Sequence, residues 1–263
     1  MNQGVINLTL PQMALSYTFI IIAIILTSLN GINRNKEIIV SVIRMTVQLT
    51  VAGFILVYIF DSKSFIFTCL MLIFMEASAI YNIIKPRVKI LPRSLFVVII
   101  LAILISSLAS LLFFILLVIR PKPLYNPQYL IPIGGMIIGN TMNGISLALK
   151  SILSSIENKR VKIEGSLMLG ARPSMAMDEI NKEAFDLALM PTLNSMKNMG
   201  LITLPGMMTG QILGGVVPTI AIKYQIAIMT TITSSVAIGV FIFLKFSTKK
   251  FFNEEKQLIN LNK

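Results

Sequence analysis

Residues 191–215 read PTLNSMKNMGLITLPGMMTGQILGG. The stretch opens on Pro191, carries Pro205 inside an apolar run, and places Gly206, Gly210 and Gly214 four residues apart. On a helix the three glycines share one narrow face that drifts by about 40° per step. Two backbones can approach closely over such a face. In lipid, apolar side chains gain little by leaving the acyl chains, so small-residue ladders are a main route to helix association. Taken alone, the stretch predicts a tightly packed membrane helix.

The rest of the chain fits that reading. Of 263 residues, 55% are hydrophobic and 13% charged, with a mean hydropathy of +0.82. Seven apolar segments, at approximately 11–30, 38–60, 65–84, 95–119, 130–149, 201–222 and 226–245, are each near the ~20 residues that a spanning helix needs. The predicted fold is all-α: a polytopic membrane protein of about seven transmembrane helices, forming one membrane domain over 1–263. The first residues lack a basic region, so the segment to Leu29 reads as a membrane helix rather than a cleaved signal. The absence of histidine excludes imidazole metal sites and histidine-based catalysis, and a single Cys69 excludes an intramolecular disulfide.

A net charge of +12 would point to nucleic acid in a soluble protein. Here the basic residues gather between apolar runs, so orientation explains them and no nucleic-acid partner is expected. Connectors 30–37, 85–94, 150–200 and the tail from Lys245 hold eighteen of the 23 basic residues; the alternate connectors hold Lys63, Arg120, Lys122 and Lys223. The asymmetry predicts an odd number of spans in a cell membrane, N-terminus outside and C-terminus cytoplasmic.

Polar groups inside spans are costly and mark candidate sites. Arg44 and Gln48 lie one turn apart on the second segment, and Glu76 lies near the middle of the third, at a depth where it could pair with Arg44. In the fifth, Gly135, Gly139 and Asn143 share a face with Asn140 beside it. Arg44, Gln48, Glu76, Asn140 and Asn143 are the candidates for a translocation path. Gly135 and Gly139, with Gly206, Gly210 and Gly214, are the candidates for close helix packing.

Segment 150–200 is the one long stretch between spans, and it predicts a cytoplasmic coupling element. Leu149, Ile152, Leu153, Ile156 and Ile163 recur at helical spacing, carrying the fifth segment past the membrane surface. Gly170 is placed to end one helix and Pro173 to begin the next. Ile180, Ala184, Leu187 and Ala188 then give an apolar stripe, with Asp178 and Glu179 near that helix's N-terminus. The expected product is a helical hairpin.

From Glu164 and Gly165 to Gly170 the order Glu-Gly-Ser-x-x-x-Gly is similar to the Glu-Ala-Ala-x-x-x-Gly coupling motif of ABC importer permeases, although Lys182 and Glu183 stand where a Leu-Pro would follow. Together with GMIIGNTMNGISLALKSIL, LGARP, residues 191–215 and IKYQIAIM, the chain resembles the FetB/YbbM family of ABC-type permeases. The likeness is densest from Gly135 to Met229. The resemblance implies a separate cytoplasmic ATPase subunit, FetA-like, that carries ATP and Mg, and a permease homodimer in membrane lipid. It also implies links to iron export and oxidative-stress resistance in bacteria, and to aluminium tolerance and UDP-glucose transport in plants. No G-x-x-x-x-G-K-[ST] loop occurs in the chain, which fits ATP hydrolysis on a partner. In that setting Glu164, Gly165, Gly170, Ala171, Arg172, Pro173, Asp178 and Glu179 form the ATPase-coupling surface. Residues 191–215 become the transmission segment, with Pro191 and Pro205 as hinges.

Three functions remain open on the residues alone. They are an ABC permease for iron or another metal, an ABC permease for a non-metal solute such as a nucleotide sugar, and a secondary transporter or channel. An enzyme is disfavoured because no acid/base pair converges. Metal-binding residues are undefined: the sixteen methionines favour Cu(I) by softness but more simply fill packing gaps.

Overall fold

The computed structural model describes residues 6–88, 91–253 and 255–259. The described residues form helices joined by short connectors, with no strand among them. Helices α1 (Leu10–Ser16) and α2 (Thr18–Leu29) are separated only at Tyr17 and are followed by α3 (Asn35–Ser62) and α4 (Phe65–Ile84). Next come α5 (Arg93–Phe113), prolonged by a wide-turned stretch Phe114–Ile119, and α6 (Pro127–Asn158). Three shorter-spaced helices, α7 (Arg160–Met168), α8 (Pro173–Ala176) and α9 (Asp178–Asn198), precede α10 (Gly206–Leu213) and α11 (Pro218–Ser247).

Among the described residues six helical rods are long and apolar enough to cross a bilayer: Leu10–Leu29, Asn35–Ser62, Phe65–Arg87, Arg93–Ile119, Pro127–Asn158 and Pro218–Phe251. The first five match the first five apolar segments. The last two segments do not correspond to two rods. Lys223–Tyr224–Gln225, expected as a tight loop, lies inside α11, whose N-terminus is set by Pro218 in its first turn. The expected sixth segment, 201–222, contains no single helix. The backbone leaves α9 at Met199, runs non-helically to Pro205, makes the two turns of α10, and reverses at Gly214 and Gly215.

Side-chain contacts fix the relative directions of α6, α9 and α11. Thr141 meets Ser235 and Gly144 faces Val236 and Val240, so α6 and α11 run parallel. Asn181 bonds Thr248, Thr233 bonds Met196 and Gln225 bonds Met199, so α9 runs antiparallel to α11 along most of its length. The path from Asp178 through α9 and α10 to Gly215 therefore traverses the same height as α11. Among the described residues there are thus six continuous rods and, beside α11, one broken antiparallel run, α9 with α10. The reason a hydropathy reading misses this run is compositional: Asp178, Glu179, Lys182, Glu183 and Asp186 make the first half of α9 polar, while the apolar 201–222 run starts after the helix has ended.

The core lies where α5, α6, α9 and α11 meet, with α4 alongside α5 and α6. Ile99, Ala102 and Ile103 of α5, Ile145, Ala148 and Leu149 of α6, and Val236, Val240 and Phe243 of α11 are fully buried there. On α9, Ile180, Ala184, Ala188 and Thr192 form a buried i, i+4 ladder. Leu187, expected in that stripe, faces outward, and Thr192 takes the next place. By contrast α1 and α2 bury no residue, and α3 buries only Ile59. These helices hold to each other through Tyr17 to Thr46 at 2.8 Å and Asn35 to Thr27 and Ser28 at 2.8 and 2.6 Å.

Candidate coupling elbow and intramembrane polar seam

At 32 residues α6 is about 48 Å long, well beyond the ~30 Å of a bilayer core. Its last turns, from Lys150 on, lie beyond the apolar run 130–149, and the chain turns at Lys159 into α7. Two backbone bonds close α7: Gly170 N–H donates to Leu167 O at 2.9 Å and Ala171 N–H to Ser166 O at 3.0 Å. This is the paired pattern of a left-handed helix terminator, with Gly170 at φ +88°. Arg172 is extended and precedes α8, and Pro173 occupies the first position of that helix. The hairpin punctuation read from Gly170 and Pro173 is thus present in the structure.

The elbow is tied down by ion pairs. Lys159 Nζ reaches Glu183 at 2.6 Å and Glu179 at 3.8 Å, and Lys162 Nζ reaches Glu179 at 2.6 Å. Arg160 pairs with Glu164 at 2.8 Å, and Asp178 with Lys182 at 2.7 Å. The hydrogen bond from Lys162, reinforced by the charges of Lys162 and Lys159, holds the Glu179 carboxyl below the usual carboxylate range. The bond to Glu183 raises the Lys159 ammonium above the usual lysine value. Lys159, Lys162 and Glu183 were missed in the sequence because Lys159 and Glu183 stand 24 positions apart, beyond any helical spacing rule.

Beneath these pairs the elbow rests on buried Ile163, Met177 and Ile180. The chain's last described turns brace it: Phe251, Phe252 and Leu258 are buried, and Arg160, Glu164, Gly170 and Arg172 share with Lys256 and Gln257 the lining of a cavity of about 640 Å3. The tip itself is uncovered. Met168 is 86% exposed and Leu169 91%, so two large apolar side chains project from a rim of charge.

The expected intramembrane residues do not converge. Arg44 and Gln48 are exposed on α3, and Gln48 lines an apolar groove of about 740 Å3 between α3 and α4. Glu76 is buried on α4, but its partner is Ser107 of α5, and Arg44 makes no ion pair among the described residues. Asn140 donates to its own helix at Met136 O, 2.8 Å, while Asn143 is exposed.

The glycines also divide differently from expectation. A Cβ on Gly135 would meet Met75 at 2.6 Å, so that glycine admits α4. Gly139, Gly206 and Gly210 face open space, and Gly214 meets only carbonyls of its own helix. The other close approaches are at Gly134, Gly144 and Gly239. Pro191 sits inside α9, and Pro205 precedes α10 at the end of a non-helical run, so Pro205 lies outside any continuous helix.

A polar seam missed in the sequence crosses the core. Ser235 of α11 donates to Ser106 O of α5 at 3.2 Å and meets Thr141 of α6 at 2.8 Å. A hydroxyl has one hydrogen, so Thr141 is the donor to Ser235. The signal was available: Ser106, Ser107 and Ser110 are the only polar residues within LAILISSLASLLFF, and they fall on one helical face.

The chain matches the family described as "Uncharacterised protein family (UPF0014)" over residues 10–252. It is 32% identical over 253 residues to the "Probable iron export permease protein FetB" of Escherichia coli, covering 96% of each chain. It is 34% identical to the "UPF0014 membrane protein YjkA" of Bacillus subtilis, over 94% of this chain and 97% of that one. To the "Protein ALUMINUM SENSITIVE 3" of Arabidopsis thaliana it is 33% identical, over 86% and 81%. No solved structure matches the chain.

Proposed function

The chain belongs to the UPF0014 family of membrane proteins, and from that membership we propose that it is the permease subunit of an ABC transporter exporting iron or a related metal. Its similarity along almost the whole length of a protein named as a probable iron export permease supports that reading. ATP and Mg bind on a separate FetA-like ATPase, so this chain is not itself an enzyme. The observation that carries the reading is the elbow: Met168 and Leu169 projecting from charge-braced α7 and α8.

The elbow end is cytoplasmic in this proposal, because the connectors that meet there hold most of the basic residues. ATPase closure presses on Met168, Leu169, Arg172 and the Glu164 side of α7. Lys159 and Lys162 pass the displacement to Glu179 and Glu183, and hence to α9. Because α9 lies against both α6 and α11, a shift of α9 switches the bundle between two packed arrangements. Transmission thus runs through α9, and residues 199–215 follow it as a compliant link. Two permeases side by side complete the assembly, with the lightly buried α1–α3 and the groove along Gln48 available to lipid or the second copy.

A second reading, export of a non-metal solute, is supported by the donor chemistry. Among the described residues no group of three or more His, Cys, Asp and Glu comes together. An organic anion would be drawn to Arg44. Vesicles holding the permease and its ATPase decide between them: ATP-dependent movement of iron supports the first reading, and movement of a nucleotide sugar without iron supports the second. Replacing Gly170 by Leu should leave ATP hydrolysis running while transport falls; unchanged coupling would contradict the elbow's role.

A further inference from the structure

Glu76 is 5% exposed at mid-height of α4, and Ser107 of α5 is 1% exposed beside it. The Ser107 hydroxyl has two short oxygen neighbours, Oε1 of Glu76 and the Ile103 carbonyl at 2.6 Å, with the Leu104 carbonyl farther off at 3.5 Å. A serine hydroxyl owns one hydrogen and a backbone carbonyl owns none. With the Ser107 hydrogen on Glu76 Oε1, the short contact with the Ile103 carbonyl holds no hydrogen; with it on the Ile103 carbonyl, a protonated Glu76 carboxyl can donate to Ser107 Oγ, and only this second arrangement gives both short contacts a hydrogen.

The rest of the site agrees with a neutral acid. Oε2 of Glu76 is buried with no hydrogen-bond partner. A buried carboxylate with an unpaired oxygen bears a heavy desolvation cost, whereas the carbonyl oxygen of a neutral acid bears a modest one. Among the described residues no basic side chain forms an ion pair with Glu76.

Glu76 is among the residues lining a cavity of about 270 Å3 between α4, α5 and α6, with its carboxyl tucked behind a nearly all-apolar wall. Its walls are Leu72 and Ile80 of α4, Leu104 and Leu111 of α5, and Ile138 of α6, so no other titratable group faces the carboxyl from the helices packed on it. On α4 itself the flanking titratable groups are Cys69, two turns before, and Tyr81, more than a turn after. Ile73, Ala77 and Leu108 form the outer rim and are exposed on the side of the bundle. One carboxyl and one hydroxyl fall far short of the six to eight oxygens of a calcium-like site or the octahedral shell of magnesium.

We propose that Glu76 is a proton-binding site of this membrane bundle, opening toward the lipid through the cavity beside it and carrying its proton as a carboxylic acid in the conformation observed. The proton leaves to water when α4 and α5 separate enough to break the Ser107 contact, so the bundle's rearrangement and the Glu76 proton are linked. The proposal rests on side-chain geometry and stands whether or not an ATPase drives the chain.

The test uses the full chain in lipid vesicles at neutral pH. Infrared spectra of the native chain minus Glu76→Gln should contain a protonated-carboxyl C=O band; a carboxylate band in its place overturns the proposal. A second arm needs no variant: the apolar reagent dicyclohexylcarbodiimide, which reacts with protonated carboxyls, is applied to the native chain and the modified residue is located by peptide mass mapping. Modification at Glu76, several-fold greater than with a water-soluble carbodiimide, is expected. No modification at Glu76, or equal modification by both reagents, contradicts a protonated site facing lipid.

Discussion

A β-carbon added at Gly239 would meet Ser106 Oγ at 2.8 Å and Thr141 Cγ2 at 2.9 Å, and one at Gly144 would meet Val236 Cγ1 at 2.6 Å. One added at Gly206 or Gly210 would meet nothing within 4 Å. The i, i+4 ladder thus lies on the open helix α10, while the α5–α6–α11 junction closes over isolated glycines set opposite Val, Ser and Thr. Ladder spacing reports that a face can be approached. The residues opposite decide whether it is.

This contrast is open to direct attack, most forcefully at Gly239. Gly239→Leu should destabilise the bundle by about 1–3 kcal/mol or more, read as a drop in thermal unfolding midpoint in detergent, because it overpacks a junction of three helices. Gly170→Leu comes next: a β-carbon at φ +88° costs about 1–2 kcal/mol locally, and the elbow should lose transport coupling, whereas Gly170→Asn, which tolerates that backbone, should retain most of it. Thr141→Val removes the hydroxyl that serves Ser235 and should cost about 0.6 kcal/mol, the usual size of a hydrogen bond between membrane helices. Gly210→Ala should leave the unfolding midpoint unchanged or raise it slightly, since alanine is better in a helix and meets nothing; a large drop would mean that α10 is covered after all.

The smallest effect is one of pH on the elbow. Glu179 has its carboxyl lowered in the folded state, so its contribution is complete above the unfolded carboxylate value and is lost as pH falls through the lowered one. Lys159 works in the opposite sense: its contribution is complete below the unfolded lysine value and lost as pH rises through its raised value. Hydrogen-exchange protection of 159–183, taken relative to the intrinsic rate at each pH, should therefore be greatest between those two limits and fall beyond each. A flat profile would show that the ion pairs do not hold the elbow.

Much of the architecture was legible in the residues. Five spans, the basic asymmetry, the long α6 and the Gly170/Pro173 punctuation follow from local pattern, because hydropathy and backbone chemistry act locally. The broken run through α9 and α10 was not legible as such, because α9 is polar over its first half and buries only the narrow Ile180–Ala184–Ala188–Thr192 edge. The Arg44–Glu76 pairing failed for a different reason: equal depth does not bring two side chains together, since α3 and α4 meet at Tyr58 and Phe67 but a groove parts them along Gln48, while Ser107 meets Glu76 from α5. The Lys159–Glu183 tie and the Thr141–Ser235 contact join residues 24 and 94 positions apart, so only the folded chain reveals them.

The central claim is that an ATPase grips the Met168–Leu169 tip. Tagged chain should be co-expressed with a phosphate-loop ATPase of the FetA type and purified, side by side with a Met168→Asp, Leu169→Asp variant whose exposed positions leave the bundle intact. The account predicts that the native chain retains the ATPase and that the variant loses most of it at an unchanged unfolding midpoint. Equal recovery with both chains, or none with the native one, would contradict it.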